Sequence, residues 1–182
     1  MGNVLTATDA TGKTTTKTYD SDNRPITVVD PLGGTTTYQY DAIGNKTLVV
    51  DPVGNRTSFV YDADGRVVRK TSPIGGVTTY AYDNLGRMNS TTDALGRRID
   101  YAFDADGRVT TETWHDASGT LVNTKTFAYD GLGNVLTALD ASGTYSYTYD
   151  ADNRVATVQE PFGLNLSLPF LDGPGSFDAS SE

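Results

Sequence analysis

The chain of 182 residues has no cysteine, one histidine and one tryptophan. Lacking cysteine, it has no disulfide staples and no thiol nucleophile, and the redox state of its compartment is left open. Positive charge is also scarce: 14 Lys and Arg stand against 23 Asp and Glu, a net charge of -9. Nucleic acid and anionic membrane surfaces are therefore poor electrostatic partners. No apolar run approaches the length of a transmembrane helix, and no amino-terminal apolar stretch suggests a signal peptide, so membrane insertion is not expected. Helical periodicity is missing throughout, which points to a nearly pure β architecture.

What is abundant is repetition. An aromatic-Asp box that runs into a Gly-Arg or Gly-Asn turn recurs about every 21 residues. Its copies begin at Tyr19-Asp20, Tyr40-Asp41, Tyr61-Asp62, Tyr82-Asp83, Phe103-Asp104, Tyr129-Asp130 and Tyr149-Asp150. The turn glycines are Gly44, Gly65, Gly86, Gly107 and Gly133, with Asn23 and Asn153 in the first and last copies. Asn tolerates the left-handed conformation best after Gly, so the exchange follows a backbone constraint. A second Asp-x-x-Gly lies about midway, at Asp9, Asp30, Asp51, Asp93, Asp116 and Asp140, with Ser72-Pro73-Ile74-Gly75 as the variant copy. Asp or Ser opens a type I turn, Pro31, Pro52 and Pro73 pre-set φ, and Gly takes the positive φ of the bulge; each motif reads as a hairpin turn.

Between turns lie segments of roughly six residues rich in Thr, Val and Tyr, which read as strands. Alternation places Tyr38 and Tyr40 on one face and Gln39 on the other. The same pairing at Phe59/Tyr61, Tyr80/Tyr82, Tyr101/Phe103, Phe127/Tyr129 and Tyr147/Tyr149 builds an aromatic ladder. Five residues after the box Asp an apolar side chain follows at Val67, Met88, Val109, Val135 and Val155, and Lys46 breaks this rule. Fixed-period self-similarity of this kind means stacked supersecondary units rather than one globular core.

The period is 21 for four steps, 26 between Asp104 and Asp130, and 20 to Asp150. One hairpin, at 105–129, is therefore longer, and its odd insertion predicts a bulge in the strand returning from Gly119 to Tyr129. This hairpin carries Trp114 and His115, the candidate ligand-binding residues. The plainer expectation is drift in repeat length, with Trp114 packed locally and His115 solvated. Residues 1–160 form the array of about seven repeats. The start repeats a later stretch (Gly2-Asn3-Val4-Leu5 against Gly133-Asn134-Val135-Leu136), so the chain reads as cut from a longer array. Residues 161–182 form a non-repeat tail, whose Pro161–Leu171 stretch offers a capping strand before a flexible end.

Catalytic and metal patterns are weak by comparison. Asp62-Ala63-Asp64-Gly65 and Asp104-Ala105-Asp106-Gly107 match the opening of a calcium loop, but Pro73 and His115 occupy the twelfth position, where a bidentate Glu is needed. These aspartates read as turn formers. No carboxylate pair is singled out for glycoside hydrolysis, and His115 has no marked Ser or Asp partner for nucleophilic catalysis. No enzyme activity, metal or cofactor is expected.

The Tyr-Asp-x-x-Gly-Arg box, its 21-residue period and the intermediate Asp-Pro-x-Gly turn resemble the YD repeat of the bacterial Rhs family, shared with toxin-complex C subunits, wall-associated proteins and the teneurins of animals. The resemblance covers residues 2 to about 160. It implies a long antiparallel β-ribbon that spirals into a hollow shell, often around a toxin domain, in secreted or cell-surface proteins. The fold class expected is thus all-β, a YD-repeat ribbon or solenoid of successive hairpins with about 14 short strands, forming part of a Rhs-type shell. Three readings of function follow. The first is a non-enzymatic wall segment whose partners are other YD repeats of the same or a parent chain. The second is a homo-oligomeric filament grown head to tail, and the third a module binding a glycan or a surface protein.

Overall fold

The structure is a computed structural model that describes residues 3, 5–162 and 165–167. Every regular element among them is a β-strand. In chain order these are β1 (Thr6–Thr8), β2 (Thr14–Tyr19), β3 (Pro25–Val29), β4 (Thr35–Tyr40), β5 (Lys46–Val50), β6 (Arg56–Tyr61), β7 (Val67–Thr71) and β8 (Val77–Tyr82). There follow β9 (Met88–Thr92), β10 (Arg98–Phe103), β11 (Val109–His115), β12 (Leu121–Tyr129), β13 (Val135–Asp140), β14 (Gly143–Tyr149), β15 (Val155–Gln159) and β16 (Asn165–Ser167). The strands in excess of the sequence count are the three-residue β1 and β16. The chain divides into two compact units, Met1–Asp100 with His115–Thr120, and Tyr101–Trp114 with Leu121–Glu182. Within each unit strand order is sequence order, so the expected ribbon of antiparallel hairpins is what the chain forms.

Local chemistry explains the hairpins. In the turn after β6, Asp62 N–H donates to Arg66 O (3.0 Å) and Gly65 N–H to Asp62 O (3.1 Å). The Asp62 carboxylate also accepts from the N–H groups of Asp64 (3.0 Å) and Arg66 (2.9 Å), so one side chain satisfies the donors that the turn leaves free. Gly65 needs φ +77° for this, and Asn23 and Asn153 take φ +62° and +65° at the equivalent positions. The ladder beyond the turn is bulged, because Val60 pairs with Arg69 but Tyr61 with Val67. The β12–β13 pair carries a shift of the same kind between Ala128 and Tyr129, and so do β2, β4, β8 and β14 just before their turns. This bulge therefore belongs to the box itself and is not a mark of the long hairpin.

The turn at Asp140 departs from its expected form. Asp140 and Gly143 face each other as a strand pair, so only Ala141 and Ser142 connect β13 to β14. Gly143 sits at φ +126°, well away from the +80° to +88° of the glycines in the other midway turns. One residue fewer in this connection accounts for the short period of 20. At the carboxyl end, β16 pairs with β15 (Val158 opposite Leu166), which places a strand inside the expected tail. Gly163, Leu164 and 168–182 lie outside the described residues, as do Met1, Gly2 and Val4 of the expected amino-terminal match.

Neither unit builds a conventional core. Among the described residues only Leu48 is buried, at 8% exposure. The box tyrosines are half-buried and their in-strand neighbours alternate outward, as in the pattern of β4. Stability in such an array is a sum of repeat and nearest-neighbour contributions, with cross-strand pairs worth roughly 0.2–1 kcal/mol each.

Gly86 tests this account, since it holds φ +81° and a β-carbon there would meet Arg66 Nη1 at 3.4 Å. Gly86→Val should destabilise the fold by about 1–2 kcal/mol in urea unfolding, the cost of a left-handed non-glycine residue. The adjacent Leu85→Ala, on a side chain 78% exposed, is the control. Equal unfolding of the two variants would overturn the left-handed turn.

Candidate functional site

The recurring constellation in this molecule is the joint between successive repeats. It starts from the turn aspartate. Asp62 Oδ2 accepts from Arg66 Nε at 2.8 Å, which stretches the arginine along the rim of the sheet. The guanidinium then lies over the ring of Tyr82 in the next repeat, 4.7 Å from its centroid. Tyr82 closes the joint by donating its hydroxyl to Val67 O at 2.9 Å, fifteen residues back. Arg24 and Tyr40 repeat the arrangement: Arg24 Nε reaches Asp20 Oδ2 (2.7 Å), its guanidinium covers Tyr40 (5.0 Å), and Tyr40 Oη donates to Pro25 O (2.9 Å). In the second unit Asp104, Arg108 and Tyr129 do the same, with Tyr129 Oη on Val109 O at 2.6 Å and Arg108 Nη1 on Asp130 O at 3.1 Å.

Where the box ends in Asn, the joint is kept with other groups. Asn45 Nδ2 caps Asp41 Oδ2 at 3.0 Å, and Tyr61 still donates to Lys46 O at 2.8 Å. Lys46, which breaks the apolar rule of its position, lies with Nζ 4.4 Å from the centroid of the Tyr38 ring, so it too covers the aromatic face. Asn134 binds Asp130 Oδ2 (2.9 Å) and exchanges amide hydrogen bonds with Asn153, while Tyr149 Oη donates to Val135 O (2.9 Å). Asp83 holds Arg87 and Asp150 holds Arg154 in the same way. Phe103 has no hydroxyl to donate, and Tyr19 belongs to the first box.

These contacts also set the acidity of the aspartates. Asp62, Asp104 and Asp150 lie below the ordinary carboxylate value of 3.8, because the N–H groups of Arg66, Arg108 and Arg154 hold the charged form. Partial desolvation pushes the other way and is outweighed by that contact together with the side-chain hydrogen bond of the same arginine. Burial raises the hydroxyls of Tyr40, Tyr61 and Tyr129.

Trp114 and His115 are neighbours on β11 and face opposite ways. Trp114 donates Nε1–H to Glu112 Oε2 (3.2 Å) and has Lys125 Nζ 5.6 Å from its ring. His115 is not solvated as the sequence suggests. Its side chain is 16% exposed, with Nε2 3.3 Å from Asp100 Oδ2 and Nδ1 3.2 Å from Gly119 O. Asp100 also accepts from Ser90 Oγ (2.7 Å) and Arg98 Nε (2.9 Å). The carboxylate stands between the hydroxyl and the imidazole, whereas nucleophile activation requires the imidazole on the hydroxyl. The cluster ties a hairpin tip to β10 and has no triad order.

The calcium-like aspartates are engaged as well, since Asp64 Oδ2 and Asp106 Oδ2 pair with Arg66 and Arg108, both at 2.9 Å. No group of three or more metal-ligating side chains occurs among the described residues.

An array held by such joints is a repeat protein of the Rhs type, and the sequence agrees. The model of the RHS Repeat family matches residues 2–35, 19–56, 61–98, 103–145 and 129–164, and the chain belongs to that family. No curated protein matches it. Among solved structures it is similar to a TcdB2-TccC3-TEV crystal structure, at 12% identity over 85% of this chain with a TM-score of 0.38. It is also similar to a Tc holotoxin pore of Photorhabdus luminescens, at 13% identity over 85% of this chain and TM-score 0.38. The chain spans 13% of the length of each of these. A porin-like protein from Bacteroides uniformis shows 15% identity over 84% of this chain and 91% of its own length, with a TM-score of 0.32.

Two outcomes follow from the joints. Tyr82→Phe removes one inter-repeat hydrogen bond and should cost about 0.5–1.5 kcal/mol in urea unfolding, with the fold retained. The same change at Tyr80, two residues earlier on β8, supplies the comparison. Because the joint aspartates are depressed in the folded state, their stabilisation is complete above the ordinary carboxylate range and lost as pH falls through it. Thermal melts should hold a constant midpoint between about pH 8 and 5 and fall steeply below about pH 4. A midpoint unchanged down to pH 2 would remove the aspartates from the account.

Proposed function

We propose that this chain is a non-enzymatic structural module, a stretch of wall in a secreted or cell-surface Rhs-repeat protein. The YD array of residues 1–160 makes the wall and residues 161–182 continue from it. The box residues Tyr19 to Asp150 are its construction set, and its partners are other YD repeats of the same or a parent chain. Enclosure of a toxin is the more specific form of this reading, and it rests on family membership.

The observation that carries the proposal is the use of the polar groups. Each Asp, Arg and Tyr hydroxyl of the joints at Asp20, Asp62 and Asp104 is spent on its own turn or on a neighbouring repeat. Catalysis needs a unique environment with groups left poised, whereas a wall needs the same joint made many times.

Light scattering across a hundredfold range of protein concentration tests the assignment. A wall segment keeps one mass at every concentration. A mass that climbs with concentration, with fibres under negative stain, would replace it with a head-to-tail filament.

A further inference from the structure

One cross-strand row in the second unit breaks the pattern of the others. On the tyrosine face, three-strand rows in the first unit read Tyr38–Val49–Thr57, Phe59–Lys70–Thr78 and Tyr80–Thr91–Ile99. Each has one aromatic ring. The corresponding row in the second unit is Phe127–Ala138–Tyr145, with rings on both outer strands and the smallest side chain between them. Phe127 and Tyr145 are two strand spacings apart, about 9.5 Å. With Tyr147, Asp140 and Lys125 they line a cavity of about 350 Å³, within the size range of small-ligand sites.

The electrostatics of this slot are incomplete in a specific way. At four rings elsewhere the chain supplies its own cation, with Arg24, Lys46, Arg66 and Arg108 over Tyr40, Tyr38, Tyr82 and Tyr129. Among the described residues no cation covers Phe127, Tyr145 or Tyr147. Asp140 Oδ1 accepts from Ser142 N–H (2.7 Å), Thr144 follows the turn as Thr120 follows the Asp116 turn, and among the described residues no cation pairs with the Asp140 carboxylate. Lys125 reaches towards Trp114 and makes no ion pair with Asp140. Glu112, which also lines the cavity, takes the Trp114 indole N–H. Two carboxylates thus face one ammonium, on a chain of net charge -9.

We propose that this slot binds the guanidinium or alkylammonium side chain of a basic segment of a partner polypeptide, with arginine as the better fit. A cation centred over Ala138 lies about 5 Å from each aromatic wall, inside the reach of a cation–π contact. The chain's own arginines sit 4.7–5.0 Å from their tyrosine rings. Asp140 supplies the carboxylate that, in the joints, holds the guanidinium over the ring. The partner's arginine makes here, beside a midway turn, the carboxylate–guanidinium–ring arrangement that the chain makes at its box turns.

The test is an NMR titration of the full chain with acetyl-Gly-Arg-Gly-amide, and with the same peptide carrying citrulline, which keeps the shape and removes the charge. The arginine peptide should shift the resonances of Phe127, Ala138 and Tyr145 and bind at least about tenfold more tightly than its citrulline counterpart. Tyr145→Thr, which restores the residue type of the other rows, and Asp140→Asn should each weaken it about fivefold or more, while Lys125→Gln should tighten it. Unchanged resonances of second-unit residues away from the slot, such as Val109 and Val155, will report that each variant keeps its fold. Equal binding of the citrulline peptide, shifts spread evenly over both units, or a titration that does not saturate would each overturn the proposal. Insensitivity to Tyr145→Thr would do the same, as would a neutral oligosaccharide saturating the slot in place of the arginine peptide.

Discussion

The rest of this structure depends on a hydrogen bond that the box tyrosines Tyr40, Tyr61, Tyr82, Tyr129 and Tyr149 each make to the repeat before. A single-layer sheet has little apolar volume to bury, and here only Leu48 falls below the level of a buried residue among those described. Backbone ladders join each strand to its neighbour but do not fix how the side chains of one hairpin stack on the next. The hydroxyl of Tyr82 on Val67 O does so, and the guanidinium of the adjacent Arg66 over the same ring adds a second constraint. Because the turn aspartate holds that arginine, turn geometry and inter-repeat packing are one network. This is why the sequence keeps Tyr, Asp and Arg together in a six-residue box.

The network explains what the sequence made legible and what it hid. Strands and turns are local, so Thr, Val and Tyr alternation and the Asp-x-x-Gly spacing were enough to place them. Asn23 and Asn153 in the left-handed region follow from the same local rule. The joints span fourteen residues or more, and no periodicity within a strand announces that Tyr61 will reach Lys46 O. Their arginines stand in the sequence only as neighbours of the turn residue, yet in the fold Arg24, Arg66 and Arg108 reach the ring of the next repeat. His115 shows the same limit, because its partner Asp100 lies on another hairpin. The shortened period before Asp150 was visible, but its cause was not, since Asp140-Ala-Ser-Gly143 has the letters of an ordinary turn and adopts a two-residue connection.

The turn carboxylates of this fold are engaged by their own surroundings. A carboxylate that accepts two backbone N–H groups and an arginine, as Asp104 does, is held in its charged form and has little left to offer a substrate. The Asp62-x-Asp64 and Asp104-x-Asp106 pairs look like metal ligands in a linear string. In three dimensions their second carboxylates sit on the arginine that closes the turn. Repetition makes the point stronger, because a group that performs one structural task in every copy is poorly placed to acquire an individual one.

A repeat array gains individuality where its register changes. Losing one residue from the Asp140 turn slides β14 along by one position relative to that turn, and a one-residue slip in a strand exchanges its faces unless the turn type changes with it. Here the turn does change, so the tyrosine face is preserved while Tyr145 arrives where the other midway strands hold Thr or Ile. A single backbone change thus adds a ring beside Ala138, on the strand that leads away from the Asp140 carboxylate. In a protein whose other joints are closed, that is the physical route by which wall becomes site.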